Sequence, residues 1–276
     1  MLMDKEEGIT SFSSLSTVKK ACGTKHVGHA GTLDKFASGL MICLIGKATK
    51  LNSLFMGLDK EYVASIRFGE ETDTLDPEGE VVRRAPLPAE ESIRAVLPSF
   101  LGEQMQRPPV YSAIHIGGKR AYKEARKGES PEMPERKITV SSIDLLSFTP
   151  QEAVIRASVS KGTYIRSLCR DIAERAGSAG YTAKLRRLRI GPYRVDETAL
   201  GTWEILSRTG AFSRVVFPEG QRKHIDNGSA LERNMLSDSS PSLPYAFIYT
   251  GDELYGIAER KNGGFCHIIR LDDGEL

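Results

Sequence analysis

Two neighbouring stretches, residues 137–149 and 152–160, are rich in β-branched side chains, and in the second Ile155, Ala157 and Val159 alternate with Arg156, Ser158 and Ser160. Period-two alternation sends one set of side chains to a buried face and the other to solvent, so these stretches read as paired antiparallel strands. Tyr62 to Phe68 alternates in the same way, Tyr62, Ala64, Ile66 and Phe68 against Val63, Ser65 and Arg67, and Thr74 to Gly79 supplies a turn after it. Thr163 is placed to cap a helix on which Ile165, Leu168, Cys169, Ile172, Ala173 and Ala176 make one apolar stripe, with Arg166 and Arg170 on another face and Gly177 at its end. Strands and helices mix without regular βαβ alternation. The expected class is α+β, built on a mixed, largely antiparallel sheet.

The start of the chain reads as a short strand, then a helix with Ser11 as N-cap, carrying Leu15, Val18 and Cys22 and stopped by Gly23. Val27 to Lys35, with Gly28 and Gly31, reads as a loop that leads into the apolar run Leu40 to Ile45. Beyond about residue 200 the character changes: eight bases stand against eleven acids, and Tyr245–Tyr249, Leu254–Ala258 and Phe265–Leu271 alternate with turn sequences. With 276 residues available, the expectation is a large domain over 1–200 with an insertion at about 107–137, a linker over 201–220 and a small β-rich domain over 221–276.

Several function classes are disfavoured by what the sequence lacks. No apolar run approaches the roughly 20 residues of a membrane span, and the start does not resemble a secretory signal, so a cytoplasmic protein is expected. The four cysteines form no C-x-x-C pair and the five histidines no zinc-ligand spacing, so no metal is predicted. Phosphate-loop and dinucleotide signatures are also missing, so no cofactor is expected. The net charge of +2 hides segregation: 161–194 holds nine Lys/Arg against two acids, and 107–137 eight against four, whereas 59–80 holds eight acids against two bases. Basic runs interleaved with Gly and Tyr point toward RNA as the partner.

The segment Gly28-His29-Ala30-Gly31-Thr32-Leu33-Asp34, followed by Ala37-Ser38-Gly39, resembles the catalytic motif of bacterial TruB-type tRNA pseudouridine synthases. Further matches follow in the family's order: Gly8 to Ser11, Gly46 to Lys50, Lys60-Glu61-Tyr62, Thr72-Asp73-Thr74 with Asp76 and Gly79, Pro109 to Ala113, Gly118 to Tyr122, Lys161 to Arg166, and Leu185 to Leu188. The resemblance covers about residues 4–195. It departs from the family's usual pattern at Glu6, where a proline is common, and at Lys35, where another commonly follows the aspartate.

The resemblance implies a pseudouridine synthase fold with a PUA-like C-terminal domain, acting on the T-loop uridine of tRNA (position 55) without a guide RNA; a monomer is expected. It makes Asp34 the essential carboxylate, which either attacks C1′ or assists loss of the 2′ proton; these routes stay open. Arg166 would favour the ionised form of Asp34, Tyr62 would stack on the flipped base, and Leu185 would pack on the other side of the pocket. His29 would fill the space the uridine leaves. Lys50, Asp76 and Arg187 match further positions of the RNA or active-site network, and Lys119 and Arg120 in the basic insertion would contact phosphates. A tRNA-binding protein without catalysis, or a guide-dependent enzyme, are the alternatives.

Overall fold

The computed structural model describes residues 1–112, 115–116, 119–120, 133–218, 220, 237–238, 242–261 and 264–270. The chain opens with strand β1 (Leu2–Lys5), helix α1 (Ser11–Ala21), strands β2 (Val27–His29) and β3 (Ser38–Ile45), a 3₁₀ turn over Gly46–Leu51 and the short helix α2 (Asn52–Met56). Strand β4 (Lys60–Phe68), the hairpin β5 (Glu70–Thr72) and β6 (Val81–Arg84), helix α3 (Glu90–Val96) and strand β7 (Gly102–Gln106) follow. Two short strands, β8 (His115–Ile116) and β9 (Lys119–Arg120), lie in the insertion. Then come β10 (Arg136–Thr149), β11 (Glu152–Val159), helix α4 (Ile165–Arg175), β12 (Gly180–Ile190) and β13 (Tyr193–Arg194). The C-terminal part holds helix α5 (Thr202–Ser207) and strands β14 (Phe212–Phe217), β15 (Ser237–Asp238), β16 (Tyr245–Thr250), β17 (Glu253–Lys261) and β18 (Gly264–Arg270).

The main sheet has the order β1-β3-β12-β4-β11-β10-β7, with β2 also on β3 and β13 on β12. Every pairing in it is antiparallel except that of β3 with β12. The expected mixed, largely antiparallel sheet is therefore present. Its one parallel contact depends on Gly39, whose φ of +111° suits glycine and whose added Cβ would fall 2.3 Å from the carbonyl oxygen of Arg187.

One core lies between the sheet and helices α1 and α4: Leu15, Val18, Leu168 and Ile172 pack with Met41, Ala64, Ile66 and Ile155. A second lies on the opposite face, where Leu40, Ile42 and Leu44 meet Phe55, Ile205, Phe247, Ile257 and Ile269. Strand β3 is thus buried on both faces, which is why Leu40 to Ile45 is a continuous apolar run and not an alternating one. Each such side chain contributes about 1.5–3 kcal/mol on burial. The second core joins the main sheet to a five-stranded sheet, β15-β14-β16-β17-β18. Residues 202–217, within the stretch expected to link the two parts, form α5 and β14, and β14 runs parallel to β16.

Local expectations failed in instructive ways. The N-cap of α1 is Thr10, whose Oγ1 accepts from the Ser13 N–H at 3.0 Å. Ser11 is buried, and its hydroxyl both donates to the Leu33 carbonyl and accepts from the Leu33 N–H, each at 2.8 Å. Thr163 does not cap α4 either, because its hydroxyl donates to the Ser160 carbonyl and Tyr164 takes the cap position. Val27 to His29 is a strand, since pairing with β3 supplies the hydrogen bonds that the glycine-rich sequence disfavours. The 74–79 turn joins β5 to β6, one short strand later than expected.

Candidate active site

Asp34 sits just before β3, on a loop pinned to α1 by Ser11 and to β1 by the buried Lys5, whose Nζ donates to the carbonyls of Ile9 (2.7 Å), Glu6 (2.8 Å) and Lys35 (3.5 Å). Arg166 reaches it from the first turn of α4. Its Nε lies 3.0 Å from Asp34 Oδ2 and its Nη2 donates to Oδ1 at 3.3 Å. The rest of the guanidinium is fully engaged: Nη1 donates to Asp76 Oδ2 (3.0 Å) and the Thr74 carbonyl (2.7 Å), and Nη2 also to the Tyr111 carbonyl (2.9 Å). Asp76 is itself held by the Thr74 hydroxyl (2.6 Å) and the Glu78 N–H (3.0 Å). A charge row Asp34–Arg166–Asp76 results, with the arginine only 5% exposed and the Asp34 side chain 38% exposed.

That burial corrects the sequence reading, which left Arg166 on a non-core face. The end of β7 packs over this turn of α4: Gln106 Oε1 accepts from the Tyr164 N–H (2.9 Å), its Nε2 donates to the Tyr164 carbonyl (3.1 Å), and just beyond it the Arg107 carbonyl accepts from the Ser167 hydroxyl (2.8 Å). Gln106 therefore satisfies the cap residue of α4 that has no side-chain cap of its own. Desolvation pushes the Asp34 carboxyl above the usual carboxylate range, Arg166 pulls it down, and Asp76 and Glu78 add to the upward push. Arg166 thus favours the anion as expected but does not outweigh burial.

The carboxylate opens into a cleft of about 440 Å³ whose walls include Tyr62, Leu185, Arg187, Lys60 and Tyr164. Tyr62 and Leu185 come from the paired strands β4 and β12, in which Tyr62 stands opposite Arg187 and Ala64 opposite Leu185. Both are nearly buried, at 8% and 7% exposure. An acid, an arginine, an aromatic face and an apolar wall around one cleft suit a neutral planar group held beside a carboxylate.

Residues 19–165 match the TruB family pseudouridylate synthase (N terminal domain) model. A tRNA pseudouridine synthase B of Borreliella burgdorferi (strain ZS7) is 45% identical over 230 residues, 82% of this chain and 81% of the relative. That of Aquifex aeolicus is 38% identical over 275 residues, 95% and 96% of the two chains. The chain belongs to the TruB family. A crystal structure of a Cbf5-Nop10-Gar1 complex shares the fold with a TM-score of 0.66 at 23% identity, covering 98% of this chain and 84% of that one.

Of the residues that the TruB motifs single out, the structure brings Asp34, Tyr62, Arg166, Leu185 and Arg187 to one cleft, with Asp76 behind Arg166. His29 does not line it. It sits on β2 opposite Cys43, half-buried, and burial with the nearby Arg187 pushes its imidazole below the ordinary range, so the ring is neutral near pH 7. Lys50 is exposed on the 3₁₀ turn, and the backbones of Lys119 and Arg120 form β9, while their side chains lie outside the described residues. Sequence reasoning missed Gln106 and the burial of Lys60. Lys60 was within a TruB motif, but no local pattern marks the lysine that opens a strand as buried.

Proposed function

We propose that the protein converts a uridine of folded tRNA, the T-loop uridine, into pseudouridine, with Asp34 as the reacting carboxylate. The observation that carries this reading is Asp34 at the open end of the Asp34–Arg166–Asp76 row, facing the cleft between Tyr62 and Leu185. The N1–C1′ bond breaks, the freed uracil turns, C5 bonds to C1′, and the C5 proton is given up while N1 gains one. Atoms balance without oxidant or cofactor. Asp34 either bonds to C1′ or helps remove the 2′ proton, and Arg166 orients it in either route.

Tyr62 stacks on the extruded base and Leu185 bounds it opposite, contacts that tolerate a turning ring. His29 takes the place of the base in the RNA stack, and Lys50, Lys119 and Arg120 meet the RNA backbone. The residues up to about 200 form the catalytic part, and the C-terminal sheet, PUA-like in role, helps hold the RNA. The enzyme works in the cytoplasm, as a monomer and without a guide RNA. Incubating purified protein alone with an unmodified tRNA transcript and mapping pseudouridine tests the reading, with Asp34→Asn alongside. Product at the T-loop uridine from the wild type only is expected. No product from folded, tRNA-binding wild type would overturn the activity, and product from Asp34→Asn would overturn the role of Asp34.

A further inference from the structure

Two buried cations of the cleft make no ion pair with any acid among the described residues. Lys60 is 7% exposed, and its Nζ donates to the carbonyls of Met56 (2.8 Å) and Leu58 (2.5 Å), at the C-terminal end of α2. Arg187 is 1% exposed, and it donates from Nε to the Leu40 carbonyl (2.7 Å) and from Nη2 to the Gly31 carbonyl (3.1 Å). Among the described residues neither makes an ion pair. Other arginines nearby do: Arg166 answers Asp34 and Asp76, and Arg189, two residues beyond Arg187, answers Glu61 at 3.7 Å.

A buried charge without a counter-charge is costly, because desolvation is not repaid by attraction. Here two such charges act on each other. Burial pushes the Lys60 ammonium down to about 8, with Arg187 and Lys161 adding to the effect, and Asp59, the nearby acid, does not offset it. Carbonyl dipoles satisfy two of the three Lys60 protons but leave its charge unneutralised. A cleft wall so arranged gains from a bound anion. Ribose and uracil are neutral, so within the target nucleotide the anion is a phosphate.

We propose that Lys60 and Arg187 form an anion site that holds a backbone phosphate flanking the extruded uridine. The site rests on the RNA-modifying reading above. It complements that reading by anchoring the backbone while the base turns, so that C1′ stays beside Asp34.

The test uses an RNA stem-loop containing the target uridine in three forms: unmodified, and with an uncharged methylphosphonate on its 5′ or its 3′ side. Dissociation constants are measured for wild type, Lys60→Met and Lys60→Arg. One of the two methylphosphonates should weaken wild-type binding about tenfold or more, as expected for loss of a charge-assisted hydrogen bond. Lys60→Met should weaken binding of unmodified RNA similarly, and the two changes together should cost no more than either alone. Lys60→Arg should restore sensitivity to the methylphosphonate. Losses that multiply, or a Lys60→Met protein that binds as wild type does, would overturn the proposal. If Lys60→Met does not fold, wild type decides: no loss from either methylphosphonate overturns the site. Pseudouridine formation on the unmodified stem-loop is followed in parallel. Coupling without product would sink the enzymatic reading and keep the site, whereas product without coupling would sink the site alone.

Discussion

Asp76→Asn removes one charge from the Asp34–Arg166–Asp76 row while keeping its shape. The Asp76 side chain is 8% exposed and its Oδ2 lies 3.0 Å from Arg166 Nη1, so the exchange removes the anionic partner from a charge-assisted hydrogen bond inside the protein. Such bonds are worth about 1.5–3 kcal/mol, roughly a ten- to hundredfold loss in kcat if that energy holds Arg166 in its working orientation. The second effect has a definite sign. Asp76 is one of the groups that raise the Asp34 carboxyl, so neutralising it lowers the Asp34 pKa. Asp34 works as the anion, the rate climbs as pH rises through its pKa, and the acid limb of the profile therefore moves to lower pH. If Arg166 instead swung away from Asp34, its downward pull would be lost and the limb would move to higher pH. Single-turnover pseudouridine formation across the acid range, with RNA binding measured separately, reads both effects. An acid limb that stays in place or moves upward would refute the idea that Asp76 acts on Asp34 through a shared, stationary Arg166.

Two further substitutions probe the frame of the site. Gly39→Ala should destabilise the protein by about 3 kcal/mol or more, because the backbone is in a glycine conformation and the methyl would meet the Arg187 carbonyl; denaturant unfolding reads this directly. Gln106→Leu leaves the Tyr164 N–H without its partner, at about 1–3 kcal/mol, while the Tyr164 carbonyl keeps the Leu168 N–H, and should lower kcat more than it raises KM. Gln106→Glu keeps the acceptor for the Tyr164 N–H and should recover part of kcat. Equal kcat for both variants would remove Gln106 from the positioning of Arg166.

What could be read from the sequence divides by the range of the interactions concerned. The alternation in β4 and β11 and the stripe of α4 are local consequences of burial, and they were legible. Strand β2 exists only because β3 offers it partners, and β14 only because β16, more than twenty residues further along, pairs with it in parallel. Thr10 and Ser11 are adjacent hydroxyls with equal claims to a cap. What separates them is that Ser11 faces Leu33, a contact 22 residues away. In the cleft, Asp34, Tyr62, Arg166 and Leu185 were visible as motif residues, whereas Gln106 acts on Tyr164 across 58 residues and has no local mark.

The basic stretch 161–194 shows how far a charge count can mislead about a binding surface. Read as a run, it suggests a continuous patch for RNA. In the fold, Arg166 answers Asp34 and Asp76, Arg170 answers Asp171, Arg186 answers Asp4, Arg189 answers Glu61 and Arg194 answers Asp196. Arg175 lies over the Phe100 ring. Lys161 and Lys184 remain at the surface, and Arg187 lies buried against the cleft. Most of these arginines therefore answer groups of the protein itself: Arg166 of helix α4 and Arg186 and Arg189 of strand β12 pair with other elements, while Arg170 and Arg194 pair with near neighbours in sequence. Within this stretch, the charge left to attract a polyanion is that of the exposed Lys161 and Lys184 and of Arg187, which lines the cleft beside Asp34. Salt should accordingly weaken RNA binding less steeply than nine free cations would require, because a paired arginine releases no phosphate-bound counterion.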